Sequence, residues 1–257
     1  NITDGGSTCL TDFDFFTEVD RWFDNQALSE SMWGLIDYWN VSQVTDMNYA
    51  FSPNRIGGSA INTFNENISS WNTSSVVNMS LMFYNSTSFN QPLNWDTSSV
   101  IDMSAMFASA TSFNQPLNFD TSIVTTMAGM FNLATSFNST LTFDTSSVLN
   151  MQQMFQNAAS FNQPLTFDTS SVTNMLRMFY SATSFNQPLN WDVSSVATMQ
   201  SMFFAVNFST TNYDLILVYW EAYLQSAFPG GVGYTPNINV SFNTTQYTGG
   251  SSAAIAR

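Results

Sequence analysis

From Trp71 to Phe203 the apolar positions of this chain return every 24 residues without a slip. An aromatic opens each unit at Trp71, Trp95, Phe119, Phe143, Phe167 and Trp191. Methionine follows at Met79, Met103, Met127, Met151, Met175 and Met199, and a Met-Phe pair closes the run, as at Met106-Phe107. A strict period of this length predicts a solenoid, in which each unit buries its apolar face only against its neighbours. Within a unit the pattern changes character. Leu93 and Trp95 alternate with polar residues, which predicts a short half-buried strand. Met103, Met106 and Phe107 then fall at i, i+3 and i+4, one helical face. The residue before the first Met is Asn78, Asp102, Thr126, Asn150, Asn174 or Thr198, all good helix N-caps. Each coil is therefore predicted to be a strand, a turn and a capped helix of about two turns.

The return segment reads Thr-Ser-Phe-Asn-Gln-Pro-Leu. Phe89, Phe113, Phe137, Phe161 and Phe185 are expected to point inward and stack coil on coil. Asn90, Asn114, Asn138, Asn162 and Asn186 form a matching column, expected to satisfy backbone groups at a bend because buried polar groups need partners. Pro92, Pro116, Pro164 and Pro188 stand just before the strand, where a missing N–H is tolerated. The methionines are read as core filler. Leu93, Trp95, Ser98 and Val100 follow the leucine-rich spacing L-x-L-x-x-N-x-L, with an aromatic for the second leucine. The predicted fold class is thus an α/β solenoid: a leucine-rich-repeat-like, right-handed coil with short parallel strands on one face, short helices on the other, and helical and strand caps.

The run from Trp95 through Val100, Asp102, Met103, Met106 and Phe107 to Thr111-Ser112-Phe113-Asn114-Gln115-Pro116-Leu117 resembles the BspA-like surface-protein repeats. Those repeats occur in mycoplasma lipoproteins, listerial and other bacterial surface proteins, and protist extracellular proteins. The resemblance extends outward. Phe15 to Phe23, then Gly34 to Ser42, resembles the family's N-terminal cap helix and first coil. That coil runs through Val44, Met47 and Phe51 and carries an eight-residue insertion before Trp71. Tyr213 to Leu224 reads as a helix closing the other end, and residues 238–257 resemble the family's closing strand and helix. The expected organisation is an N-terminal segment at 1–10, a helical cap at 11–38, seven coils at 39–208, and a C-terminal cap at 209–257. In the family the closing helix is followed by a segment like Ile-Thr-Asp-Gly-Gly. Here the chain stops at Arg257 and instead begins Asn1-Ile2-Thr3-Asp4-Gly5-Gly6. That departure from the family is read as the mark of one module of a tandem array or filament, joined head to tail, residues Asn1 to Gly6 adding a strand to the preceding module. The alternative is that the ends are only where the chain was cut.

Charge narrows the partners. The chain has four arginines, no lysine, no histidine and a net charge of −14. Phosphates demand Lys and Arg, so nucleic acid is disfavoured, as is an anionic membrane surface. No apolar run is long enough to span a bilayer. The chain opens on Asn1 rather than Met, as a processed chain or a piece of a longer one would. Cys9 is the single cysteine, which leaves a free thiol or an intermolecular bridge.

Two polar features could carry chemistry. Asp96, Asp120, Asp144, Asp168 and Asp192 follow the strand aromatic and would stack at about 5 Å per coil. Such a ladder could bind extracellular Ca²⁺. Asp-Thr-Ser-Ser is equally an Asx-turn former that accepts from the backbone N–H two residues on. At that position Asn40 and Asn72 instead create glycosylation sequons. Further sequons stand at Asn1, Asn67, Asn78, Asn85, Asn138, Asn207, Asn239 and Asn243, with Asn78 doubling as an N-cap. No other cofactor is expected. Without His or Lys there is no His-dependent triad, Schiff base or P-loop, and periodic acids in identical surroundings are not tuned apart for acid and base roles. The expectation is a non-enzymatic extracellular or cell-surface glycoprotein. Its role is either a structural subunit assembling through Asn1 to Gly6 and Cys9, or an adhesin whose concave face binds a protein or glycan.

Overall fold

The computed structural model describes residues 9–55 and 63–227. Among the described residues three α-helices lie outside the repeats: α1 (Asp12–Asp24), α2 (Gln26–Trp33) and α3 (Thr210–Ala227), with a 3₁₀ turn at Ile36–Tyr38 between α2 and the first coil. Helix α1 starts where Thr11 accepts from the Asp14 N–H, and Asp12 and Asp14 favour the positive end of its dipole. Phe15, Glu18, Val19 and Trp22 form its buried face. It ends at Asn25, whose side chain accepts from the Leu28 N–H at 3.1 Å and so starts α2. Gly34, at φ 76°, closes α2, a conformation that costs a glycine little.

The repeats correct the predicted α/β solenoid. Among the described residues there is no β-strand and no sheet, and none of the 24-residue units contains a helix. What stacks is a chain of turns. Asp102 does not cap a helix; its carboxylate accepts from Ser104 N–H, two residues on, at 2.7 Å. The amides of Met103, Ala105, Phe107 and Ser109 then donate to the carbonyls of Thr126, Ala128, Met130 and Asn132 in the next coil, at 2.6–3.2 Å. The intervening amides of Met106, Ala108 and Ala110 bond back three residues within their own coil. Ala105 and Ser109 sit at φ 52° and 59° to make this possible, and the equivalent pair recurs in every complete coil, as at Gln153 and Asn157. A helix would consume all these amides within one coil and leave none to tie it to the next.

The predicted strand also fails for a local reason. Leu93, Leu117 and Leu141 pair only as isolated parallel bridges. Pro116 has no N–H to continue the pairing, and from Asp120 onward the backbone turns. Past the bridge the connection passes to side chains. Thr73, Thr97, Thr121, Thr145 and Thr169, all buried, each donate a hydroxyl bond of 2.8–2.9 Å to the backbone carbonyl of the acid one coil on. In the last coil this column ends at the buried Val193.

Aromatic rings fill the interior. Phe51, Phe83, Phe107, Phe131, Phe155, Phe179 and Phe203 stack with centroids 5.4–5.8 Å apart. A second column, Phe64, Phe89, Phe113, Phe137, Phe161 and Phe185, lies about 4 Å beside it, near-parallel within each coil. The paired methionines, such as Met127 and Met130, are wholly buried around these rings. Both ends of the core are covered. At one end Phe15 meets Trp71 and Trp22 meets Phe64; at the other Trp220 stacks on Phe203 at 5.9 Å. Asp12 of α1 also stands in for a missing coil. Its carboxylate accepts from Thr45 N–H at 2.6 Å and Asp46 N–H at 3.2 Å, whereas later coils use a neighbour's carbonyl, as Ile101 N–H uses Val77.

Candidate functional site

The conspicuous polar columns are occupied by the stack itself. Each Asp of the ladder accepts from the Ser two residues on: Asp96 takes the Ser98 amide at 3.0 Å and its hydroxyl at 2.6 Å. Asp120, Asp144 and Asp168 repeat both bonds, and Asp192 takes the Ser194 amide at 2.9 Å. Asn40 and Asn72 make the same turn with amide oxygens. These bonds hold the carboxyls of Asp96, Asp144 and Asp168 below their ordinary range, with the Ser hydroxyl the leading cause in each. Among the described residues no three His, Cys, Asp or Glu side chains gather closely enough to hold a metal ion. The geometry is that of the Asx turn.

A pH dependence follows from these shifts. A carboxyl whose pKa is depressed by folding contributes stability above its unfolded value, and that contribution is lost as pH falls through the folded value. Thermal melts between about pH 6 and about pH 2 are therefore expected to show a steeper acid loss for the native chain than for Asp96→Asn, Asp144→Asn and Asp168→Asn combined. Asn40 and Asn72 already show that the amide supports the turn. Equal slopes for both proteins would remove this contribution.

The Asn column also works between coils. Asn114 accepts from Asn138 N–H at 2.8 Å, Asn138 from Asn162 at 2.9 Å and Asn162 from Asn186 at 2.9 Å. Asn186 passes the column to α3, accepting from Ser209 N–H at 2.8 Å. Of the sequons, Asn67, Asn72 and Asn207 are exposed, and Asn40, Asn78, Asn85 and Asn138 are half-buried. Asn1, Asn239 and Asn243 lie outside the described residues, as do Ile2, Thr3, Asp4, Gly5 and Gly6 of the expected assembly segment and the closing segment 238–257. Cys9 packs on its own chain: its sulfur receives the Asn40 side-chain amide at 3.2 Å, and the next amide, Leu10, donates to the Asn40 carbonyl at 2.8 Å.

These coils match a family model described as "Mycoplasma protein of unknown function, DUF285" twice, over residues 17–118 and 118–215. The chain belongs to this family. The two DUF285 matches meet at Asn118, the residue before the aromatic Phe119 that opens a coil. They take in most of α1, all seven coils and the start of α3. Comparison with curated proteins and with solved structures gave no match.

The DUF285 repeat pattern hides one site, because the site lies where the pattern breaks. A cleft of about 570 Å³ opens between α1 and the first coil. Phe16 and Asp20 come from α1, and Asp46, Asn48, Tyr49, Asn54 and Arg55 come from the coil. Arg55 anchors it with a side chain only 9% exposed. One guanidinium nitrogen pairs with Asp20, another donates to the Phe16 carbonyl at 3.1 Å, and the group lies 5.7 Å from the Phe16 ring. Its buried Nε–H has no acceptor among the described residues. Burial dominates both partners, pushing the Asp20 carboxyl up despite the adjacent cation and the Arg55 guanidinium down. The sequence signal was present but indirect. Arg55 is one of four cations in the chain, and Ser52-Pro53-Asn54-Arg55 departs from every other coil.

Proposed function

We propose that this chain is a non-enzymatic, extracellular surface module that recognises a partner through the flanks and N-terminal end of its stack. The observation that carries this reading is the covering of both ends of the core by the chain's own helices, Trp22 of α1 and Trp220 of α3. An end-capped stack leaves its sides as working surface, the usual arrangement of repeat proteins that bind. The resemblance to BspA-like surface repeats supports the extracellular assignment, and exposed Asn67, Asn72 and Asn207 suit N-linked glycans. The absence of His and Lys supports a non-catalytic role, and the net charge of −14 disfavours nucleic acid. Calcium in the Asp ladder is the weaker part of this reading, since each carboxylate already has donors within its own turn. A calcium titration that raised the melting temperature would restore it.

A second reading is favoured by one specific observation. The amides of Met199, Ser201 and Ala205 occupy the row that ties each coil to the next, yet no described residue accepts from them. Backbone donors in such a row can pair with an added strand. Such pairing would suit a structural subunit joined head to tail by Asn1 to Gly6 of a neighbouring copy. Sedimentation velocity and electron microscopy of the purified chain separate the two. A monodisperse monomer at neutral pH supports the recognition module. Regular fibres, strengthened by salt that screens the −14 charge, would overturn it in favour of the subunit.

A further inference from the structure

We propose that the cleft between α1 and the first coil is a binding subsite for a short neutral saccharide. The inference rests on the recognition reading and supplies it with a ligand class and a location. The volume, about 570 Å³, lies in the range of built small-molecule sites. Its charge excludes several occupants. Two guanidinium nitrogens of Arg55 are committed to Asp20 and to the Phe16 carbonyl and its Nε–H is buried, so among the described lining residues no exposed cation is left to attract a phosphate, sulfate or carboxylate. Asp46 adds a second negative group on the coil side. An anionic ligand would therefore be repelled, and the cleft asks for a neutral one that brings hydrogen-bond donors.

The remaining groups match hydroxyls. Asn48 spends its side-chain amide nitrogen on Ser80, at 2.9 Å to the carbonyl and 2.6 Å to the hydroxyl, which leaves its amide oxygen as an acceptor. Asp46 uses one carboxylate oxygen on the Asn48 N–H at 2.9 Å, and the other is left to accept. Asn54 is exposed and offers both a donor and an acceptor. Phe16 and Tyr49 line the cleft with aromatic rings that can take sugar C–H groups, and the Tyr49 ring packs at right angles to that of Tyr84, 6.3 Å away. Aromatic rings beside planar carboxylate and amide groups suit a polyhydroxylated ring. The pairing with Asp20 keeps Arg55 in place, so the wall exists before the ligand arrives.

The test is binding by saturation-transfer NMR and calorimetry with four neutral trisaccharides: cellotriose, chitotriose, maltotriose and mannotriose. The intact chain is compared with Tyr49→Ala, Asn54→Ala and, at the far end of the stack, Tyr180→Ala. At least one trisaccharide is expected to bind saturably. Each cleft variant is expected to raise its Kd by about tenfold or more, while Tyr180→Ala leaves it unchanged. Asn54 is on the surface, so an unchanged melting temperature for its variant separates lost binding from lost fold. Absence of binding by all four, from a chain that sediments as a monomer, overturns the saccharide proposal and leaves the recognition reading standing. Binding that survives both cleft variants, or that is lost in Tyr180→Ala instead, overturns the cleft as its location.

Discussion

Replacing Phe131 with alanine is expected to destabilise the chain by about 3–5 kcal/mol, the range for a fully buried aromatic cut to a methyl group. The reason is its place in the lattice of rings. Phe131 stacks on Phe107 and Phe155, each 5.7 Å away, and lies 4.0 Å from Phe137 in its own coil. Truncation opens a cavity that three coils share. The backbone of those coils cannot collapse into it, because the Phe131 amide is tied to the Met154 carbonyl and the Phe107 amide to the Met130 carbonyl. Phe131→Leu should cost markedly less, since most of the volume is kept. Chemical denaturation would show the difference. A Phe131→Ala loss below about 1 kcal/mol would mean that the columns can shift to fill the gap.

The second large effect is expected at the N-terminal cap. Trp22 is buried on α1, with its ring 5.7 Å from Phe64 and 4.9 Å from Phe23. Trp22→Ala should cost about 3–5 kcal/mol, because it uncovers the first rings of the core as well as leaving a cavity. Trp22→Phe should be far milder than its loss of volume suggests. The indole N–H of Trp22 is buried with no hydrogen-bond partner among the described residues, and phenylalanine removes that donor. The pair of variants thus separates ring burial from polar cost. Equal losses in thermal melts would show that the indole N–H matters more than the geometry indicates.

The period, the ring columns and the intercoil Asn ladder were legible in the sequence because burial and stacking act on every coil alike. Met103, Met106 and Phe107 are all buried, as their spacing requires. Their conformation was not legible. The i, i+3, i+4 pattern that marks a helix face also results when i→i+3 turns carry the same residues inward. The left-handed positions that distinguish the two are held by Leu81, Ala105, Gln153, Arg177 and Ser201, with glycine only at Gly129, and at the second site of each pair by Asn85, Ser109, Leu133, Asn157, Ser181 and Ala205. Without a glycine column, nothing in the residue types announces a positive φ. Asp102 and Asn150 suit an Asx turn and a helix cap equally well, and only the partner two residues on decides between them. The cleft was only indirectly marked, for the opposite reason. It depends on α1, on Arg55 and on one irregular coil, so no periodicity points to it.

The most direct test of this architecture is the sign of a glycine effect. Ala105, Ser109 and Ser181 stand at φ 52°, 59° and 56°, where an L-residue is strained by about 1–2 kcal/mol and glycine is not. Glycine also makes the unfolded chain more flexible, which offsets roughly 0.4–1 kcal/mol of that relief at each site. Ala105→Gly, Ser109→Gly and Ser181→Gly combined are therefore expected to leave the midpoint of urea denaturation unchanged or raised. Were these segments helical, the same three changes would lower stability by about 0.5–1 kcal/mol each, and a lowered midpoint of that size would contradict the turn-built stack.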